Sequence, residues 1–288
     1  MQEQILSKLL EIDRHFGVRI LLAVESGSRA WGFASNDSDY DVRFVYVRPA
    51  SDYQRLTKVP DVIDENYQFT LDEESLRQAY PNSTHVETFS GWEHPLDFSG
   101  WDLRKFLTSA RDTGSSTYEW AFSPIVYFAA PDFLGDVQHV MGKHFNARAS
   151  FHHYRNMAWK CLHQAFDTNS VKSALYALRC LLCAHYVYHY RQQPPVALTD
   201  LVQSFSVRSE TVYRHIGVVH QFLMEHKQSE NATAQLLPHR ETLNLLAVTV
   251  EGVGAGNDVW GAPDHPDLEL DNSTLMAYSR LLQKHHAP

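Results

Sequence analysis

A Gly-Ser pair and two closely spaced aspartates, held between two apolar runs, constrain this chain more than any other feature. An apolar run over residues 18–24 leads into Gly27-Ser28, and a second run over residues 42–47 directly follows Asp39-Tyr40-Asp41. Short apolar runs of this length are typical of buried β-strands. The sequence therefore predicts a strand, a Gly-Ser turn, a short helical stretch and a second strand that opens with two carboxylates.

The two aspartates predict a metal site. Side chains alternate along a strand, so Asp39 and Asp41 are expected to project from the same face. Two carboxylates on one rigid element suit Mg²⁺, which prefers oxygen ligands and keeps waters or substrate phosphates in its shell. Gly27-Ser28 would let backbone N–H groups approach a polyphosphate, because glycine has no Cβ. This combination indicates phosphoryl or nucleotidyl transfer.

The alternative interpretation is a polar connection between two strands. Gly, Ser, Asn and Asp are common turn residues, and an Asp-x-Asp motif taken alone is not specific. What favours the functional interpretation is the joint occurrence of strand, Gly-Ser turn, helix-length gap and strand-borne aspartates.

The same residues resemble a known superfamily signature. Glu25-Ser-Gly-Ser-Arg-Ala-Trp-Gly32, continuing to Ser38-Asp-Tyr-Asp-Val-Arg43, is similar to the nucleotide-binding signature of the DNA polymerase β superfamily, Gly-[Gly/Ser] followed by Asp-x-[Asp/Glu]. It looks like the bacterial and phage branch of predicted nucleotidyltransferases that includes RNA-ligase-associated, RNA-repair-type proteins. Further similar stretches, which extend the resemblance from about residue 18 to residue 195, are 99–105, 119–120, 123–127 and 175–179.

The resemblance implies both a fold and an activity. The implied fold is α+β: a minimal nucleotidyltransferase domain with a mixed sheet and helices, expected over residues 1–135, followed by an α-helical substrate-binding domain over residues 136–288. The implied reaction transfers NMP from an NTP, ATP among them, to an acceptor hydroxyl and releases pyrophosphate. The implied cofactor is a pair of Mg²⁺ ions held by Asp39 and Asp41, with Mn²⁺ as a substitute.

The acceptor is left open by the sequence. The resemblance favours an RNA end, tRNA included, whereas the net charge of −9 keeps a small molecule such as an aminoglycoside, or a protein hydroxyl, as alternatives. A hypothesis of another class is a catalytically idle nucleotide-binding module. The oligomeric state is not predicted.

Catalysis in this superfamily needs a third carboxylate, and two candidates lie close together. Asp97 stands between two apolar residues, where a short strand would turn it away from them. Asp102 fits a capping-box pattern with Ser99, which predicts a helix over residues 101–110. We therefore expect Asp97 to be the third catalytic and metal-binding residue, and Asp102 to cap the helix. The reserves for the catalytic role are Glu87 and Glu93.

Basic residues that could hold the triphosphate are unevenly distributed. Residues 143–191 contain seven Lys or Arg and one acid, interleaved with aromatic residues, which suits a phosphate-bearing or base-stacking surface, although a solvated helical face is the alternative. With Gly27 and Ser28, the expected nucleotide-binding residues are Arg29, Arg43, Lys160 and Arg179. Arg43 shares the face of the aspartates and could instead be their structural partner. Arg179 lies among tyrosines and could instead stack structurally.

Composition limits the other classes of protein. A hydrophobic content of 44% argues against disorder. An apolar run long enough for a membrane span and a basic-then-apolar N-terminus are both missing, so neither a membrane helix nor a secretory signal is expected. Three cysteines, Cys161, Cys180 and Cys183, fit a reducing, cytoplasmic compartment. The spacing of the last two leaves a redox or metal role as the alternative to core packing.

Overall fold

A five-stranded mixed sheet carries the residues that the sequence singles out. The computed structural model describes residues 1–36, 38–57, 59–67, 95–112, 114–205, 211–228, 237–255 and 272–286. The strands are β1 (Arg19–Glu25), β2 (Tyr40–Val47), β3 (Val62–Tyr67), β4 (Leu96–Asp102) and β5 (Val126–Ala129). They lie in the order β3-β4-β2-β1-β5.

The register of the sheet brings two distant segments side by side. β2 and β4 are parallel, whereas β1–β2, β1–β5 and β3–β4 are antiparallel. In the parallel pair Asp41 lies opposite Asp97, and Arg43 lies opposite Ser99. Because side chains alternate along each strand, all four residues share one face of the sheet.

Along the chain, helices lie before, between and after the strands of the sheet. In the described part of the chain they are α1 (Gln2–Phe16), α2 (Gly27–Ala30), α3 (Leu103–Arg111), α4 (Ser115–Ala121), α5 (Phe133–Lys143), α6 (Ala147–Thr168), α7 (Val171–Tyr190), α8 (Leu198–Phe205), α9 (Thr211–Gln228), α10 (Leu237–Ala255) and α11 (Asn272–His286), with a 3₁₀ turn at Ala50–Gln54. The predicted α+β class, with a mixed sheet followed by a helical region, is confirmed.

The long helices begin and end at recognisable signals. The side chain of Asn146 accepts a hydrogen bond from the backbone N–H of Ala149 at the start of α6, and Ser170 caps α7 in the same way through Ser173. Asn169, which separates the two helices, adopts a left-handed conformation with φ of 51°. These caps place α6 and α7 as a tightly packed helical pair.

Apolar clusters occupy both faces of the sheet. Alternate residues of β1 and β2 pack either against α1, as Ala23 and Phe44 do, or against α3 and α5, as Leu22 and Val45 do. The α11 helix adds Tyr278 and Leu281 to the second cluster. The predicted boundary at residue 135 falls within α5, and the division into residues 1–135 and 136–288 stays a prediction.

The helices α6–α10 form a third apolar cluster of their own. It includes the three cysteines, which are buried and unpaired. Phe33, which follows α2, packs into this cluster, so the polypeptide next to the Gly-Ser turn contacts the helical region. None of the described helices has the length and apolar character needed to cross a membrane.

Candidate active site

Gly27 brings the first turn of α2 against the second aspartate. The residue has φ of 60°, in the left-handed region that favours glycine. A β-carbon placed on Gly27 would lie only 2.1 Å from Oδ2 of Asp41. Any other residue here would displace the carboxylate, so the spacing between the Gly-Ser turn and Asp41 depends on this glycine.

Asp39 and Asp41 lie at the start of β2. The strand begins at Tyr40, so Asp39 immediately precedes the strand that was expected to include it. Asp39 is exposed and Asp41 is partly buried. Burial raises the pKa of Asp41, the charge of Arg43 opposes that rise, and the nearby charges of Asp97 and Asp39 add to it. The three carboxylates therefore interact electrostatically.

Arg43 joins two of these carboxylates. Its Nη2 atom donates to Oδ1 of Asp41 at 2.9 Å and to Oδ2 of Asp97 at 2.7 Å. Its Nη1 atom donates to the backbone carbonyl of Asp97 at 3.2 Å. Arg43 is thus a structural partner of the two aspartates, as its position on the same strand face allowed, and its single positive charge offsets part of their negative charge.

The carboxylates fit a divalent metal by their chemistry. Asp41 and Asp97 accept from one nitrogen atom, so their oxygens converge on a single cationic position. Carboxylate oxygens are the ligands that Mg²⁺ prefers. In the part of the chain that the structure describes, no three His, Cys, Asp or Glu side chains are grouped closely enough to hold a metal ion. Asp39 would have to move towards the pair to complete such a group.

Glu25, which the sequence did not single out, forms a hydrogen bond with the backbone of Asp41. Its side chain is only 1% exposed. Oε1 accepts from the backbone N–H of Asp41 at 2.9 Å, and Oε2 accepts from the hydroxyl of Tyr127. Burial is the main reason that the pKa of Glu25 rises to about 7. A carboxylate at the end of a buried strand, directly before the Gly-Ser turn, was the available signal.

Arg29 holds the loop that carries Asp39. Its guanidinium donates to the carbonyls of Ser38 at 2.7 Å and Asp39 at 3.1 Å. It also lies 3.7 Å from the ring centroid of Tyr40. This arrangement gives Arg29 a structural function in positioning Asp39.

Arg179 is buried and paired. It is 3% exposed. Its Nη1 atom donates to Oε1 of Glu119 at 2.9 Å, its Nε atom donates to the carbonyl of Val196 at 3.1 Å, and its guanidinium lies 4.5 Å from the Trp31 ring centroid. The structure matches the alternative in which Arg179 stacks structurally, and its proposed nucleotide-binding role stays a prediction.

Two lysines of the helical region differ in their relation to the site. Lys160 is exposed on α6 and shows no contact with the carboxylates within the described residues. Lys172, in the first turn of α7, is also exposed, and its charge lowers the pKa of Asp41. Lys172 is therefore the nearer cation. The sequence analysis did not include Lys172 among the expected nucleotide-binding residues.

The predicted start of the helix after Asp97 needs a correction. β4 continues through Asp102, and α3 begins at Leu103 rather than at residue 101. Oδ1 of Asp102 accepts from the backbone N–H of Arg104 at 2.9 Å, so Asp102 caps the helix as predicted. Ser99 is not the cap of a capping box, because it belongs to β4 and donates to Asp64 at 2.6 Å. The reserves Glu87 and Glu93 lie outside the described residues.

A polar cavity of about 430 Å³, here called the reaction cavity, opens beside the Arg43–Asp97 pair. It carries a further carboxylate, Asp64 of β3, and the partly buried Glu119 that pairs with Arg179. The other lining residues are Ser26, Trp31, Ser99, Trp101, Ser116 and Trp120. The lining therefore combines polar and charged side chains with three tryptophans.

Comparisons with known proteins agree with this architecture. Uncharacterized protein YcgL of Bacillus subtilis (strain 168) is 32% identical to this chain over 212 residues, which cover 73% of this chain and 72% of that protein. The family described as RNA repair pathway DNA polymerase beta family (RlaP) matches residues 1–76 and 90–249, which include the Gly-Ser turn and all three aspartates. The chain belongs to this RNA repair pathway DNA polymerase beta family.

Proposed function

We propose that this protein is a metal-dependent nucleotidyltransferase that transfers NMP from an NTP to an acceptor hydroxyl and releases pyrophosphate. The observation that carries the proposal is the register of β2 and β4, which sets Asp41 beside Asp97 next to Gly27. Membership of a polymerase beta family supports the same class of reaction. The acceptor and the preferred NTP are the finer parts of the proposal.

The three aspartates would hold the metal. Asp39, Asp41 and Asp97 supply carboxylate oxygens that suit two Mg²⁺ ions, and Mn²⁺ could substitute. When bound, such ions polarise the phosphoryl oxygen and stabilise negative charge on the attacking and leaving groups. In the absence of metal, Arg43 reduces the electrostatic repulsion between Asp41 and Asp97.

Residues of the chain would orient the substrates. Gly27 and Ser28 would present backbone N–H groups to a polyphosphate beside Asp41, and Lys172, whose charge lowers the pKa of Asp41, would offset the charge of the phosphates. The Asp97 side chain is 37% exposed and lines the reaction cavity, so its carboxylate could accept the proton of the acceptor hydroxyl. Glu25 would fix the backbone of Asp41 during these steps through its hydrogen bond.

We propose an RNA end, tRNA included, as the acceptor. The RNA repair description of the family favours it. The net charge of −9 is compatible with a protein that contacts one end of an RNA rather than coating a long nucleic acid. A small molecule, a protein hydroxyl and an idle nucleotide-binding module are the competing outcomes of the test.

The test is transfer of label from each α-³²P-labelled NTP in the presence of Mg²⁺. Short RNAs with a free 3′-hydroxyl are compared with the same RNAs lacking it, and with pools of proteins and small molecules. We expect label only on RNAs with the hydroxyl, and none with the Asp41→Asn variant. Label on another pool would reassign the acceptor. Nucleotide binding without transfer to any pool would indicate the idle module.

A further inference from the structure

A second cavity lies on the other side of Trp101. It has a volume of about 730 Å³ and is formed by the end of β2, the segment after the 3₁₀ turn, the end of β4 and the start of α3. Trp101 lines this cavity and the reaction cavity alike. A ligand chain that passes Trp101 could therefore occupy both. We refer to the second space as the Arg48 cavity, after the arginine at its base.

Most of the charges in the Arg48 cavity are already compensated. Asp52 is paired with Arg55 at 2.8 Å, and Asp61 with Lys105 at 3.6 Å. Asp112 is paired with Arg111, which lies outside the lining, at 2.7 Å. Asp102 caps α3. The acids of the lining therefore do not offer a free cluster for a cation.

Two arginines remain without a carboxylate partner. Neither Arg48 nor Arg104 forms an ion pair in the part of the chain that the structure describes, although both line the cavity. The Arg48 side chain donates to the carbonyl of Pro60 at 3.2 Å, and its guanidinium lies 5.3 Å from the ring centroid of Tyr46. Its Nε atom is buried without an acceptor among the described residues. A buried donor without an acceptor is unfavourable, so an oxyanion entering here would satisfy it.

Aromatic rings accompany these cations. Trp101 is partly exposed, and the ammonium of Lys105 lies 5.2 Å from its ring centroid. The guanidinium of Arg104 lies 5.4 Å from the ring centroid of Tyr53. Cations interleaved with aromatic rings are typical of surfaces that bind single-stranded nucleic acid, where phosphates meet the cations and bases stack on the rings.

We propose that the Arg48 cavity binds a backbone phosphodiester of a single-stranded polynucleotide acceptor, a short distance from its reacting end. The inference rests on the proposed function and deepens it. Arg48 and Arg104 hold the phosphate, and Trp101 separates it from the nucleotide whose hydroxyl enters the reaction cavity. A diester carries one negative charge, which two uncompensated guanidinium groups can balance, whereas a triphosphate would also meet the four acids of the lining.

Binding of a short labelled RNA, measured by fluorescence anisotropy in the presence of EDTA, tests this site without requiring turnover. The variants are Arg48→Gln and Arg104→Gln, and the matched control is Arg14→Gln, an exposed arginine of α1 outside the lining. We expect each of the first two to weaken RNA binding roughly five- to tenfold and to reduce the salt dependence, with no change for the control. Because Arg104 is exposed, Arg104→Gln is expected to fold even if Arg48→Gln does not.

Titration of a non-hydrolysable NTP and competition by inorganic phosphate complete the test. Unchanged NTP affinity in both variants is the expected result. The proposal would be overturned if neither substitution changed RNA binding. It would also be overturned if the variants lost as much affinity for the NTP as for RNA, or if free phosphate occupied the site as effectively as RNA does. Because binding is measured without metal, a protein that binds RNA here but transfers no label would contradict the proposed reaction and leave this site supported.

Discussion

Two arginines that look alike in the sequence occupy very different electrostatic environments. Arg43 lies on the sheet, with its side chain 17% exposed, and bridges Asp41 and Asp97, the second of which lines the reaction cavity. Arg179 lies between α7 and α4, with its side chain 3% exposed, and is paired with Glu119. Asp41 and Asp97 can exchange Arg43 for a bound metal ion. Arg179, in contrast, is enclosed by Trp31 and the backbone of Val196.

The comparison shows how burial separates a binding site from a structural ion pair. A buried charge that loses its partner is strongly unfavourable, because water cannot replace the partner. A partly exposed charge can be solvated or can bind a ligand instead. We therefore expect changes at Arg179 to affect mainly stability and changes around Arg43 to affect mainly function.

The largest effect on stability is expected for Arg179→Met. The substitution leaves the largely buried carboxylate of Glu119 without its cation, so the free energy of unfolding should fall by about 3 kcal/mol. Urea denaturation measures it. The double variant Arg179→Met/Glu119→Leu removes both charges and should regain part of the loss. A single variant as stable as the wild type would show that the pair is not structural.

Asp41→Asn should give the opposite pattern. It removes one charge from the proposed metal ligands, so nucleotidyl transfer should fall at least about a hundredfold, equivalent to roughly 2.7 kcal/mol of activation free energy. The melting temperature should stay close to that of the wild type, since Asn keeps the shape of Asp. Asp39→Asn should behave likewise, and Asp102→Asn is the matched control with normal turnover. Near-normal turnover of a folded Asp41→Asn protein would contradict the site.

The pH dependence of stability tests the environment of Glu25, the carboxylate that holds the backbone of Asp41. Because the folded-state pKa of Glu25 is raised from 4.5 to about 7, its contribution is greatest below pH 4.5 and is lost as the pH rises towards 7. Relative to Glu25→Gln, which does not titrate, the wild type should lose on the order of 2 kcal/mol of stability between pH 4.5 and 7.5. Urea denaturation in EDTA measures the difference. A constant difference would rule out a raised pKa.

The smallest effect is expected for Arg43→Gln. Without the guanidinium, Asp41 and Asp97 repel each other, so stability in EDTA should fall by about 1 kcal/mol. Added Mg²⁺ would replace the missing charge, and the rise in melting temperature on adding Mg²⁺ should exceed that of the wild type. Thermal denaturation with and without Mg²⁺ gives both values. An equal response to Mg²⁺ in the two proteins would indicate that Arg43 and the metal do not share these carboxylates.

The sequence predicted the strands that carry Asp41 and Asp97, because alternation along strands is a local rule, and the catalytic role of these residues stays a prediction. Asp97 was separated from Asp102 by its position between apolar residues, and the register places it beside Asp41. The capping-box prediction failed at Ser99 because pairing of β3 with β4, a non-local interaction, continues the strand past it. Local sequence patterns therefore predicted the positions of the carboxylates better than they predicted where β4 ends.

Partners far apart in the chain were not predictable. Glu25 is held by Tyr127, and Arg179 by Glu119, across separations that no periodicity reveals. His285 is buried and lies 2.7 Å from Asp136, a contact that the sequence does not indicate. The proximity of Lys172 to Asp41 likewise depends on how α7 packs, which the sequence does not specify.

The packing of α11 has a consequence for how the protein is made. Tyr278 and Leu281 complete the apolar cluster that β1 and β2 begin, and Arg19 donates to the carbonyl of His285 at 2.9 Å. Proteins are synthesised from the N-terminus, and domains generally fold as units during synthesis. The sheet of this protein cannot finish its core until residues 272–286 have left the ribosome. A nascent chain released before that point would carry every proposed catalytic aspartate and yet expose an incomplete core to the cell's proteases.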